Sequence, residues 1–206
     1  MPRRASEEER DVRTRIEREG LRLFCRKGYV ATSVQEIVAA AGVTKPVLYY
    51  YFGNKAGLFH SLLAGALQAF QGMTAEILGQ PSGLRERLVG LAERNFAFCR
   101  AHPELLRFLL YALFAPEQGI PEVRFPELHR IQAGLFGQVL EEARAAGELG
   151  TADSEEAGLH FIGALHLLLV KRLREPDFPL DRGTAERLVD RYLDGVGNKS
   201  AEETEP

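Results

Sequence analysis

Apolar residues recur along most of the chain at the three-to-four-residue spacing of a helix, between charged and polar positions. Val12, Ile16, Leu23 and Phe24 follow that spacing, so Glu7–Lys27 is expected as one amphipathic helix. It should stop at Gly28, where a lysine is followed by a residue that tolerates the left-handed region. Ser33-Val-Gln-Glu36 has the capping-box pattern and predicts a short helix burying Val34, Ile37 and Val38, ending near Gly42. Thr44 can cap a second short helix with Pro46 in its first turn. A longer helix is expected from about Asn54 to about Leu78. Beyond Gly79-Gln-Pro-Ser-Gly83 the pattern predicts Leu84–Ala101, Pro103–Phe114, Glu127–Ala146, Glu155–Arg174 (capped by Asp153 or Ser154) and Asp181–Val196. A Pro/Gly-rich connection covers Pro116–Pro126, and the polar tail after Val196 is expected to be disordered. No alternating strand pattern, internal repeat or low-complexity block occurs, so the fold class is all-α.

Two of these helices are informative together. Ser33–Ala41 and Thr44–Phe52 meet at Ala41-Gly42-Val43, where glycine permits a sharp reversal and Val43 can plug the angle. That is the pattern of a helix-turn-helix, a unit that places its second helix in the major groove of DNA. At about 100° per residue, Leu48 and Phe52 share one face of the second helix and should pack on Ile37 and the first long helix. Pro46, Tyr49 and Tyr50 then point the other way, with Lys45 beside them. Exposed aromatics on a short helix have a reason if they meet DNA. Tyrosine rings can touch thymine methyls and sugars, their hydroxyls can reach phosphates, and Lys45 can donate to guanine or phosphate. The helix N-terminus at Thr44 aims free amides at the backbone, and Lys55 is a second candidate phosphate anchor.

Charge supports this division. Residues 1–60 hold 11 lysines and arginines against 7 acids, whereas residues 61–206 hold 15 against 22, although the net charge is only −3. A basic first third on an acidic remainder suggests an N-terminal module that meets a polyanion. The 206 residues, 45% hydrophobic and 27% charged, have the balance of a soluble globular protein. No uncharged apolar run approaches membrane-spanning length, and the start carries no apolar leader, so no membrane contact is expected. The two distant cysteines, Cys25 and Cys99, fit a reducing cytoplasm.

Little else in the chain suggests chemistry. Cys25 and Cys99 lie among apolar neighbours and read as buried, inert thiols. His60, His102, His129, His160 and His166 form no i,i+4 pair and no cysteine-histidine cluster, so no metal site is expected. Neither a P-loop, a nucleotide-binding glycine fingerprint, a G-x-S-x-G elbow nor a CxxC is present, and no enzyme activity or cofactor is expected. Phe96, Phe98, Phe108, Tyr111, Phe114, Phe136 and Phe161 concentrate aromatics in the part of the chain beyond the helix-turn-helix. They read first as core, and alternatively as the wall of a cavity for an apolar ligand. The candidate lining residues are Phe96, Cys99, Phe108, Tyr111, Phe136 and Phe161.

Over residues 10–65 the chain resembles the TetR/AcrR family of transcriptional regulators. The resemblance rests on Gly28-Tyr29, Thr32-Ser33, Ala41-Gly42-Val43-Thr44 and Leu48-Tyr-Tyr-Tyr-Phe52 followed by Lys55. It implies a DNA-binding domain over about 8–55, with the helix-turn-helix at 33–52, and an effector-binding and dimerisation domain over 56–197. By resemblance Ser33 and Thr44 are phosphate-contacting caps, and Gln35 reaches a base or phosphate. Lys45, Pro46, Val47 and Tyr49 hold base-reading positions, while Tyr50 and Lys55 clamp the backbone. The chain departs from many relatives at Pro46, where they carry a small residue, and at Tyr51, where they carry histidine. The family implies a cytoplasmic, ligand-responsive homodimer, most often a repressor. It would pair through its last two helices, here about 154–174 and 181–196, on a pseudo-palindromic operator, and answer to a small apolar effector. The long helix after Lys55 would be the lever between the two modules. The alternative reading is a helical ligand-binding or scaffold protein whose helix-turn-helix makes protein contacts.

Overall fold

Local capping chemistry sets most of the helix ends. The computed structural model describes residues 2–79, 82–114, 119–121, 137, 139–148 and 154–196. The named helices among them are α1 (Pro2–Lys27), α2 (Val34–Ala41), α3 (Lys45–Phe52), α4 (Lys55–Leu78), α5 (Leu84–Ala101), α6 (Pro103–Phe114), α7 (Ser154–Arg174) and α8 (Arg182–Val196). Residues 139–145 are also helical, and no strand occurs among the described residues. Helix α1 begins at Pro2 rather than Glu7, because a proline in the first turn gives up no intrahelical bond. Gly28, with φ of +78°, follows α1, as its sequence context predicts. The expected helix over 127–146 falls largely outside the described residues, as does the tail beyond Val196.

The Ser33 capping box is complete. Ser33 accepts the Glu36 amide at 3.2 Å, and the Glu36 carboxylate accepts the Ser33 amide at 2.9 Å. At the other end of α2, Gly42 takes φ of +64°. Its amide donates to the Ala39 carbonyl (3.3 Å), and the Val43 amide donates to that of Val38 (3.0 Å). The carbonyl of Thr44 then accepts the amides of Val47 and Leu48, which starts α3. Two residues therefore separate the last residue of α2 from the cap of α3, the tight turn that the sequence pattern requires.

The chain forms two compact units, residues 1–69 with 104–124, and residues 70–103 with 125–206. The first is larger than the 8–55 span expected for the DNA-binding module, for a physical reason. Its core holds Ile16 and Phe24 of α1, Ile37 and Val38 of α2, Leu48 of α3 and Leu58 and Phe59 of α4, all buried. Phe108 of α6 completes that core. Its ring lies 4.9 Å from Phe59 and 6.4 Å from Phe24, fully buried. Burying one such ring contributes about 1.5–3 kcal/mol, so α6 is part of this unit and not an appendage to it.

The second unit is built on α5, whose Leu88, Val89, Leu91, Ala92, Phe96 and Cys99 are buried together with Phe161, Leu165 and Leu169 of α7 and Ala185 and Val189 of α8. Arg85 of α5 reaches Asp190 of α8 through both Nε and Nη2, at 2.7 and 3.1 Å. Tyr192 joins α8 to α7: its hydroxyl donates to the Ala157 carbonyl (2.9 Å) and its ring meets that of Phe161 edge-on.

Candidate nucleic-acid interface

Helix α3 has an inner and an outer face. Leu48 and Phe52 are buried, whereas Lys45, Pro46, Tyr49 and Tyr50 are exposed, with Val47 at the margin. Tyr49 is 47% exposed and Tyr50 77%. The outer face is thus a cation, a proline and two aromatic rings on an eight-residue helix, with no acidic side chain between Thr44 and Phe52. Thr44 occupies the N-cap position, but its side chain makes no capping bond, contrary to expectation. Thr44 is exposed, and because Pro46 has no N–H and the Val47 amide already donates to the Thr44 carbonyl, the Lys45 amide is the first-turn donor left for an anionic oxygen.

Ser33 and Lys55, both expected to touch phosphate, are engaged within the protein. The Ser33 hydroxyl donates its proton to Glu36 (2.8 Å), so its role is to hold the start of α2. Glu36 also pairs with Lys27 at the end of α1. Lys27 and the Ser33 donors together hold the Glu36 carboxyl down to about 2. Gln35 is exposed on the first turn of α2, as a base or phosphate contact requires. The ammonium of Lys55 donates to the carbonyls of Tyr29 (2.9 Å) and Thr32 (2.8 Å) and sits 4.1 Å from the centre of the Tyr29 ring. Burial pulls its pKa below the ordinary lysine value. In this structure Lys55 thus clamps the loop between α1 and α2.

Four structural determinants of this head were not foreseen in the sequence. Thr32 is buried and donates its hydroxyl to the Gly28 carbonyl (2.7 Å), closing the same loop. Arg13 lies over the Phe52 ring at 5.5 Å while donating to Glu17 and Ser61, each at 3.1 Å, so it braces α3 against α1 and α4. Gly57 stands where a β-carbon would lie 1.9 Å from the Phe52 carbonyl oxygen. Tyr111 of α6 places its hydroxyl against Gly28 and Tyr29. Thr32 and Gly57 are constrained by neighbours within five residues, whereas Arg13 and Tyr111 meet Phe52, Ser61, Gly28 and Tyr29 only through long-range proximity.

The candidate effector residues do not form one group. Phe96, Cys99 and Phe161 are buried in the second unit. Phe108 and Tyr111 belong instead to the first, packed on α1, α4 and the α1–α2 loop. Phe136 lies outside the described residues. An open groove of about 520 Å³ does occur in the second unit, between α7 and α8. Ala164, Leu168, Phe178, Leu188 and Tyr192 form its apolar wall, and none of the expected lining residues contributes. Cys25 is half-buried, and burial raises its thiol to about 11, which leaves it protonated at neutral pH. Among the described residues no cluster of histidine, cysteine and acidic side chains could hold a metal ion, and no helix is long and apolar enough to cross a membrane.

Residues 16–62 match the family model described as bacterial regulatory proteins, tetR family. The probable HTH-type transcriptional regulator ArpR of Pseudomonas putida is 38% identical over 201 residues, covering 94% of this chain and 95% of its own. The chain belongs to the TetR family. The HTH-type transcriptional regulator TtgR, also of Pseudomonas putida, is 27% identical over the same shares of the two chains. In three dimensions NalD of Pseudomonas aeruginosa, described as the secondary repressor of the MexAB-OprM multidrug efflux pump, superposes with a TM-score of 0.75. It is 23% identical and covers 93% of this chain and 99% of its own. Like its relatives, this TetR family member is a DNA-binding transcriptional regulator and not an enzyme. The resemblance read from Gly28 to Lys55 and the all-α class thus both hold.

Proposed function

We propose that the protein is a ligand-responsive homodimeric repressor that reads a pseudo-palindromic operator through the major groove. The outer face of α3 carries this reading. A helix whose Leu48 and Phe52 are sealed inside, while Tyr49 and Tyr50 stand in solvent, is built to present its rings to something else. Lys45, Pro46, Val47 and Tyr49 face the bases. Tyr50, Gln35 and the Thr44 hydroxyl contact the sugar-phosphate backbone, and Ser33 and Lys55 act indirectly, by placing α2.

Pairing through α7 and α8 is supported by the surface of α7. Leu159 and Leu167 are 54% and 70% exposed, and the smaller Gly163 and Ala164 are exposed between them. Together with the apolar groove beside them, they form a face that a second copy would cover about a two-fold axis. Two α3 helices about one DNA turn apart, about 34 Å, would then meet successive major grooves on one side of the duplex. The effector is a small apolar molecule held in the second unit near Phe96, Cys99 and Phe161. It lowers operator affinity by binding better to a form with a different head spacing, with a coupling of about 1–3 kcal/mol. The protein acts in the cytoplasm, where its operator is. The test is selection of random-sequence duplexes on the full-length protein. Recovery of an inverted repeat that Tyr49→Ala no longer binds supports the reading, and recovery of no sequence above background refutes it.

A further inference from the structure

Tyr29 lies in the loop between α1 and α2, yet three helices, α1, α4 and α6, converge on it. Its ring meets Phe59 of α4 edge-on at 5.4 Å and Phe24 of α1 at 5.6 Å. Phe108 of α6 packs against both of those rings. The Lys55 ammonium covers the Tyr29 ring and holds its carbonyl. Its amide donates to the hydroxyl of Tyr111 on α6, a long bond of 3.4 Å, and that hydroxyl in turn donates to the Gly119 carbonyl at 3.0 Å. The carbonyl of Tyr29 also accepts the amide of Thr32, the residue immediately before the α2 cap. Lys55 bonds the Thr32 carbonyl as well. A displacement of α6 therefore reaches Thr32, next to the α2 cap, through Tyr29, without passing along the length of α4.

We infer that Tyr29 is a positioning residue for DNA binding, through which Phe108 and Tyr111 of α6 set the entry of α2 and hence the seat of α3. The inference rests on the proposed operator-binding role and adds a route of control to it. Tyr111→Phe keeps the ring and removes both hydrogen bonds. Tyr29→Leu keeps the loop backbone, with both carbonyl acceptors of Lys55, and an apolar side chain, but removes the ring that the ammonium covers and that meets Phe24 and Phe59. We take the binding-competent conformation of the loop to be the minor one in the free protein, so that losing a tie to it weakens the specific complex by the same factor as its population falls. One ordinary hydrogen bond corresponds to about a five-fold change.

The test has two arms on full-length protein. In the first, affinity is measured per active molecule for the duplex selected by the wild type and for a scrambled duplex. Tyr111→Phe should weaken the selected duplex about five-fold and Tyr29→Leu more, with the scrambled duplex unchanged. The double variant should lose less than the product of the two single losses, because both act on one loop. In the second arm, amide exchange is followed without DNA. The Thr32 and Ile37 amides should exchange about five-fold faster in Tyr111→Phe, while those at the centre of α1 keep their wild-type rates. Unchanged selected-duplex affinity overturns the inference, as does exchange that rises uniformly over α1 and α4, since that is general destabilisation. If the wild type selects no duplex, the operator reading fails by itself, and the exchange arm still decides whether α6 controls the entry of α2.

Discussion

Replacing Lys55 by methionine separates two roles that the same lysine could have. Methionine keeps the apolar stem and removes the ammonium, so the carbonyls of Tyr29 and Thr32 lose their donor and the Tyr29 ring loses its cation. A hydrogen bond from a charged donor contributes about 1.5–3 kcal/mol, and an exposed cation–π contact about 0.5–1 kcal/mol. Because the site is only partly buried, water can replace some of this, and the net cost should be about 2–3 kcal/mol. For a chain of this size that lowers the midpoint of thermal unfolding by about 5–10 °C. The accompanying change in DNA binding distinguishes a clamp from a phosphate ligand. A lysine on a phosphate contributes about 0.9 to the slope of log affinity against log salt, whereas a loop clamp contributes nothing to it. The assay is a pair of measurements on Lys55→Met: calorimetric unfolding, and binding to the selected duplex across a salt series. A lowered midpoint with an unchanged slope is expected. An unchanged midpoint with a slope reduced by about one would show that the ammonium serves DNA and that the clamp argument is wrong.

Further expectations follow from the same geometry. Tyr49→Ala and Lys45→Ala should each cost about 1–3 kcal/mol of specific binding, measured by fluorescence anisotropy, and leave the unfolding midpoint within a few degrees of wild type because both side chains are exposed. Gly57→Ala should destabilise the head by at least about 3 kcal/mol in denaturant unfolding, since its β-carbon would overlap the Phe52 carbonyl and dislodge the bond from the Gly57 amide to Asn54. The Glu36 carboxyl should titrate near 2 in a carbon-detected pH series. Its folded value is depressed, so its contribution to stability is complete above the ordinary carboxylate range and is lost as the pH falls toward 2; in Lys27→Met that loss should move to higher pH. Leu167→Glu should leave the helical content intact but give monomers in sedimentation and abolish tight operator binding, if the exposed α7 face is where two copies meet.

Features decided within a few residues were legible in the chain itself. The capping box at Ser33, the left-handed Gly28 and Gly42, and the limits of α5 and α6 follow from hydrogen bonds and dihedrals that span one helical turn. The two faces of α3 follow from the ~100° step of a helix, which makes inward Leu48 and Phe52 imply outward Tyr49 and Tyr50. The destinations of long side chains were not legible, because a lysine or tyrosine reaches partners that only folding brings near. Lys55 was free to meet a phosphate until the loop 23 to 26 residues earlier supplied carbonyls. Tyr111 and Phe108 looked like the wall of a ligand cavity until α6 packed on α1 and α4, with Tyr111 meeting Tyr29 across 82 residues of sequence. Short-range geometry thus determined which helices form and which face α3 turns outward. The choice of residues that hold that face in place belonged to contacts between distant segments, for which hydrophobic spacing carries no signal.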